Sequence, residues 1–295
     1  MVGEADSGKT AIAETLAGTG CESINAVGET PHWLLLDRAV LIDLPGAAFL
    51  AEDEAEGGQE GGGDTGKTPE SKTPAAPRRE ASQHAWRMFL RLAARFRPRQ
   101  PLNGVVLTVS AAELLAAASE PEFRNRPRRL IALARRFADI QRLAGLRLPV
   151  YVLVTKCDAI QGFGSFARTV FESSRASDAE LSNEILGWSN PYSLENDYSA
   201  AWVGEAFDET HEMLLQRQLE MMAAATSADA ADGVLQFPFE IERLREPLQE
   251  LLDVVFRNTA YSTPHLLRGI FFCGAHDFPV KGLLANDHVH SEMET

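Results

Sequence analysis

Eight residues near the start, Gly3-Glu4-Ala5-Asp6-Ser7-Gly8-Lys9-Thr10, restrict the folds open to this 295-residue chain more than any other stretch. They fit the phosphate-binding pattern of Gly, four residues and Gly-Lys-Thr. Glycines let the backbone curl into a nest whose N–H groups converge on anionic oxygens. Gly3, Asp6, Ser7 and Gly8 supply that nest, Lys9 reaches the terminal phosphates, and Thr10 offers its hydroxyl to Mg²⁺. A helix must follow, because its positive dipole end completes the anion site. Residues 10–16 meet that need, with Ile12 and Leu16 on one face and Gly18 and Gly20 as terminators. Such a loop hangs from the end of a buried strand. Only Met1 and Val2 precede Gly3, so that strand is expected to be absent.

Downstream, apolar runs alternate with amphipathic stretches. Trp33-Leu34-Leu35-Leu36 and Ala39-Val40-Leu41-Ile42 are separated only by Asp37-Arg38, which predicts a hairpin or tight strand pair. Val105-Val106-Leu107-Thr108-Val109 and Pro149-Val150-Tyr151-Val152-Leu153-Val154 read as strands buried on both faces. Helices are predicted over 82–96, 111–118 and 123–145, the last stopped by Gly145. Residues 162–230 read as mostly helical around the turn Ser189-Asn190-Pro191. Residues 237–257 read as one helix re-angled near Pro247, and Gly269-Ile270-Phe271-Phe272-Cys273-Gly274 closes as a strand. Alternating strands and helices imply right-handed crossovers in a mostly parallel sheet. The expected class is α/β: a P-loop GTPase-like, three-layer, mostly parallel sheet with an added helical subdomain. The core is expected over 1–160, the helical subdomain over 161–235, the last helix and strand of the core over 236–280, and a flexible tail over 281–295. Within the core, residues 51–80 are rich in Gly, Glu, Thr, Pro and Lys, and predict a disordered surface insertion.

Two further signals sit at predicted strand ends. Asp43-Leu44-Pro45-Gly46 places a carboxylate where a nucleotide-hydrolysing protein holds Mg²⁺, with the Gly46 N–H near the terminal phosphate. Thr155-Lys156-Cys157-Asp158 places a carboxylate that can accept from both the ring N–H and the amine of guanine. The Lys156 stem can pack on the base. The C-terminal ends of strands are where ligands bind in such sheets.

The formal net charge of −14 argues against a general nucleic-acid binder, which needs a basic face. Cys21, Cys157 and Cys273 are far apart and odd in number, as expected of unpaired thiols in a reducing compartment. His276, His288 and His290 have no partner ligands at metal-binding spacing. No apolar run approaches transmembrane length.

With these residues assembled, the chain resembles the IcmF/TssM family of type VI secretion proteins. The phosphate loop, Leu41-Ile42-Asp43 leading to Pro45-Gly46, Pro101-Leu102-Asn103-Gly104-Val105-Val106-Leu107, and Leu148-Pro149-Val150-Tyr151 running into Thr155-Lys156-Cys157-Asp158 carry the resemblance. So do Gly187-Trp188-Ser189-Asn190-Pro191 and Leu267-Arg268-Gly269-Ile270-Phe271-Phe272. The resemblance implies the NTPase-like domain of a large protein, on the cytoplasmic side of the bacterial inner membrane. It implies contact with a second inner-membrane component and with the baseplate of the contractile machine. The expected ligands are Mg²⁺ and GTP, or ATP. Ala47 stands where several GTPases carry a water-orienting Gln, so slow turnover is expected. The alternatives are a nucleotide-independent scaffold with a degenerate P-loop fold and an unrelated soluble GTPase.

Overall fold

The computed structural model describes residues 1–3, 6–17, 22–24, 31–36, 39–44, 46, 76–119, 126–168, 186–192, 196–225, 227–258 and 263–275. Its strands are β1 (Val2–Gly3), β2 (Glu22–Ile24), β3 (His32–Leu35), β4 (Val40–Asp43), β5 (Val105–Ser110), β6 (Pro149–Thr155), β7 (Gly187–Ser189) and β8 (Leu266–Phe272). Its helices are α1 (Lys9–Ala17), α2 (Ala76–Phe96), α3 (Ala111–Ser119), α4 (Arg126–Ala144), α5 (Ala201–Ala224), α6 (Ala228–Glu242) and α7 (Arg245–Phe256). Cys21, the expected insertion up to residue 75 and the expected tail from 281 lie outside the described residues, as do His276, His288 and His290.

One sheet has the order β1-β5-β6-β8-β7, parallel except for β7; the other, β2-β3-β4, is antiparallel. The backbone N–H of Leu44 donates to Met1 O at 3.1 Å, and the Met1 nitrogen donates to Ile42 O. That alternation is the bonding pattern of parallel neighbours. It sets β4 beside β1 and aligns the C-terminal ends of β4, β1, β5, β6 and β8 along one edge. The strand expected to be absent before the phosphate loop is therefore present over Val2 and Gly3, which pair with Leu107 and Thr108 of β5.

Side-chain alternation sorts the core onto two faces. Val105, Leu107 and Val109 join a large core with Leu90, Phe137, Leu252 and Phe256 from α2, α4 and α7. Met1, Ala13 and Leu34 form a smaller core under α1, against which Val106 packs. Val150, Val152 and Val154 are fully buried at the centre. Two short segments differ from expectation. Gly187-Trp188-Ser189 is a strand antiparallel to β8 rather than the lead-in to a turn in helical chain. Gly187 is required there because a Cβ would lie 2.4 Å from Ile270 O. Asn190 then closes the strand, donating from Nδ2 to Leu267 O at 2.7 Å. The expected long helix is two, α6 and α7, which divide at Arg243-Leu244. Pro247 falls in the first turn of α7, where its missing N–H costs that helix no bond, and it keeps α6 from running on, because it cannot donate to Arg243 O.

Candidate functional site

The loop between β1 and α1 is held from below by two threonines. Thr108 lies on β5 beneath it: its Oγ1 is 2.8 Å from Ser7 Oγ and donates to Val2 O at 3.2 Å. Thr155, at the end of β6, donates to Ser7 O at 2.7 Å, with Val109 O also within reach at 3.2 Å. The loop backbone curls as a nest requires, with Asp6 at φ 57° and Gly8 at φ 74°. Gly3 is fixed by proximity, since a Cβ would sit 2.2 Å from Thr108 Oγ1 and 2.5 Å from Thr108 O. Lys9 is buried and turned back over the nest, donating to Gly3 O at 3.3 Å and Ser7 Oγ at 3.2 Å.

Beside the nest, Thr10 Oγ1 donates to Asp43 Oδ2 at 2.7 Å. Asp43 is buried, and its Oδ1 has no hydrogen-bond partner. A buried carboxylate oxygen left bare beside a hydroxyl is a donor set that fits a hard cation such as Mg²⁺. His32, directly across the β3–β4 ladder, places a buried and unpartnered Nε2 near the same strand end. Gly46 is buried in a helical position beyond β4, while Pro45 and Ala47 on either side of it lie outside the described residues.

The third motif arrives at the same edge through Thr155. Lys156 follows in the left-handed region at φ 55°, heading a short 3-10 turn over Cys157–Ala159. That conformation is rare for a side-chain-bearing residue and turns the chain sharply. Asp158 projects into solvent, and its Oδ1 accepts from the Ala275 N–H at 3.1 Å. The loop after β8 is thereby tied to the loop after β6. Gly274 permits the approach, because a Cβ there would lie 2.8 Å from the Asp158 nitrogen. Cys157 is inert: burial pushes its thiol far above the ordinary value, and Sγ donates to Val154 O at 3.3 Å. Burial likewise pushes Cys273 up to about 11.

Residues from all three motifs thus line one edge of the sheet. Sequence reasoning picked out Cys273-Gly274-Ala275 as a further base-contacting loop but missed its bond to Asp158, and it missed Thr108, His32 and the role of Thr155 as the link between the phosphate loop and β6. Thr108 could have been found as the one polar residue inside an otherwise apolar buried run.

The IcmF-related N-terminal domain family matches residues 79–293, well over half of the chain. Among curated proteins the chain is similar to the type VI secretion system component TssM1 of Pseudomonas aeruginosa. The two are 26% identical over 285 residues, which is 92% of this chain and 22% of that protein. The chain thus spans under a quarter of the length of the relative it matches. No solved structure matches it. Among the described residues no helix is long and apolar enough to cross a membrane. On the extent of the family match, the chain belongs to the IcmF-related family.

Proposed function

We propose that the chain is the G-like domain of a type VI secretion membrane-complex component, binding GTP, or ATP, with Mg²⁺ at the edge described above. The observation that carries this reading is the bare, buried Asp43 Oδ1 beside a curled loop bearing Lys9 and Thr10. The strand order supports it, because β4, β1, β5, β6 and β8 deliver every motif at a C-terminal end. In this reading the nest and Lys9 bind the phosphates, and Thr10 and Asp43 hold the cation. Asp158 reads the guanine edge, and Thr155 keeps base loop and phosphate loop in register. Bound Mg²⁺ would offset charge on the β- and γ-phosphates. In hydrolysis, water attacks the γ-phosphorus as the bond to the bridging oxygen breaks. Thr155 and Thr108 hold the loop against which that phosphate rests. Turnover is slow because Ala47 offers no group to orient the water. The domain lies on the cytoplasmic side of the inner membrane and contacts a second membrane component and the baseplate.

Calorimetric titration with GTP and with ATP, each with and without Mg²⁺, tests the assignment. Asp43→Asn should weaken Mg²⁺-supported GTP binding by about tenfold, roughly 1.4 kcal/mol, and leave Mg²⁺-free binding unchanged. Asp158→Ala should erase a GTP-over-ATP preference. Unaltered Mg²⁺ dependence in the first variant, or an unaltered preference in the second, overturns the corresponding role.

A second reading is favoured by one observation: the family match begins at residue 79, outside Gly3, Lys9, Thr10 and Asp43. Under it the domain is a scaffold that acts through partner contacts alone, and none of these titrations yields binding.

A further inference from the structure

α5 and α6 form an antiparallel pair at the β7 edge of the sheet, at the opposite end from β1 and the phosphate loop. Their inner faces are core. Phe207 and Leu214 of α5 and Val234, Phe237 and Ile241 of α6 are buried, and the Phe207 ring meets Phe272 of β8 edge-on. Their outer face is also apolar. Leu215, Leu219 and Met222 follow one another at spacings of four and three along α5, and Leu235 and Phe239 at four along α6, so each set lies on one side of its helix. Contacts across the pair bring the two sets together. Gln218, within the α5 set, donates to Leu235 O at 3.1 Å. The His211 ring, one turn before Leu215, meets the Phe239 ring edge-on at 5.8 Å. The patch is bare: Leu219 is 78% exposed and Phe239 61%. Five of the twelve large hydrophobic side chains exposed among the described residues fall on it. Single exposed apolar side chains are ordinary, but a cluster with a polar rim marks a binding surface. Here the rim is acidic. α5 carries five carboxylates and α6 four, against the single Arg217. Arg243 and Arg245, just beyond α6, pair with Glu240, Asp208 and Glu242 at one end. Glu212 and Asp232 each stand one turn before the apolar set of their helix, on the same side. Both are exposed, as are Glu209, Glu220 and Asp229.

We propose that the outer face of the α5–α6 pair docks an amphipathic helix of a partner protein, apolar on one side and flanked by Lys or Arg. Three observations select that occupant. The valley between two antiparallel helices is shaped to take a third, and the spacing of three and four along both walls is the repeat that helix-in-groove contacts use. The acidic rim selects basic flanks, because carboxylates brought against carboxylates would lose water without gaining a partner. The same rim repels an anionic bilayer, which leaves protein rather than lipid to cover the apolar centre. This face gives a chemistry to the partner contacts proposed above. It rests on that part of the proposed function and not on nucleotide binding at the far end of the sheet, so the two can fail separately.

Fluorescence anisotropy with the full chain tests the proposal. The probes are two labelled model helices of equal length, one built of Leu and Lys, the other of Leu and Glu. The Leu/Lys helix should bind at least about thirtyfold more tightly than the Leu/Glu helix. Leu219→Ser combined with Phe239→Ser should weaken its binding at least about tenfold. Glu212→Gln combined with Asp232→Asn should weaken it by about threefold or more. Ile131→Ser, at an exposed apolar side chain of α4, should leave it unchanged. Hydrogen exchange on the parent chain provides a measurement that needs no variant to fold: the bound Leu/Lys helix should slow the amides of α5 and α6 and not those of α4. No binding, equal binding of the two helices, equal loss on Ile131→Ser, or slowed exchange elsewhere than α5 and α6 overturns the proposal. Self-association of the chain that Leu219→Ser and Phe239→Ser abolish assigns the face to a second copy. Binding to anionic vesicles that they abolish assigns it to lipid. Either result overturns a partner helix as the occupant.

Discussion

Buried polar side chains do the joining in this molecule, and His265 is the sharpest case away from the site. Its Nδ1 accepts from the Leu148 N–H at 3.1 Å, and its Nε2–H donates to Phe137 O at 3.0 Å, so the neutral ring is the form that fits. Burial holds its pKa below the ordinary value. The unfolded chain therefore takes up a proton below about pH 6.5 that the folded chain resists. This contribution to stability is complete above that pH and is lost as pH falls toward the depressed folded value. Chemical denaturation should show the protein less stable at pH 5.5 than at pH 7.5. His265→Leu should cost about 1–3 kcal/mol at pH 7.5, because it leaves the buried Leu148 N–H unpaired, and should flatten the pH dependence. A variant as pH-sensitive as the parent would contradict this account. At this scale residue types were legible in the sequence and their partners were not. Thr108, Thr155 and His265 are polar residues in or beside apolar runs, but their partners lie 101, 148 and 128 positions away.

Elements inherit that limit. The hydrophobic periodicity located β5, β6, α3 and most of α2 and α4, because each buries a face long enough to leave a pattern. β1 and β7 are too short for one, and exist because β5 and β8 offer edges to pair with. The α5–α6 pair shows how a local rule is broken and repaired between elements. Pro238 lies inside α6 and cannot donate to Val234 O, as a helix interior requires. Gln218 of α5 donates instead, reaching Val234 O at 3.3 Å and Leu235 O at 3.1 Å. The two helices also meet through His211, whose ring nitrogen is 3.1 Å from Pro238 O. Gln218→Ala should destabilise the protein by about 1 kcal/mol in urea denaturation. In a Pro238→Ala background the same change should cost less, since an alanine in place of the proline supplies the missing N–H. Equal costs in the two backgrounds would show that Gln218 does not substitute for the proline's lost bond.

Across the whole molecule, the order of motifs along the chain becomes one line of strand ends. The parallel sheet was readable because long apolar runs alternate with amphipathic helices. The join between its two halves, carried by the bonds of Met1 to Ile42 and Leu44, depends on register and left no trace in the pattern. The family match places the chain among IcmF-related proteins through residues 79–293, and the phosphate and Mg²⁺ half of the nucleotide reading rests on Gly3, Lys9, Thr10 and Asp43, outside that span. The most direct test therefore aims at the loop itself: calorimetric titration of the purified chain with GTP and Mg²⁺, beside Lys9→Ala. The account predicts measurable one-site binding to the parent chain and a loss of at least about tenfold, roughly 1.4 kcal/mol, in the variant. Binding that Lys9→Ala leaves unchanged, or no binding by a folded parent chain, would contradict it.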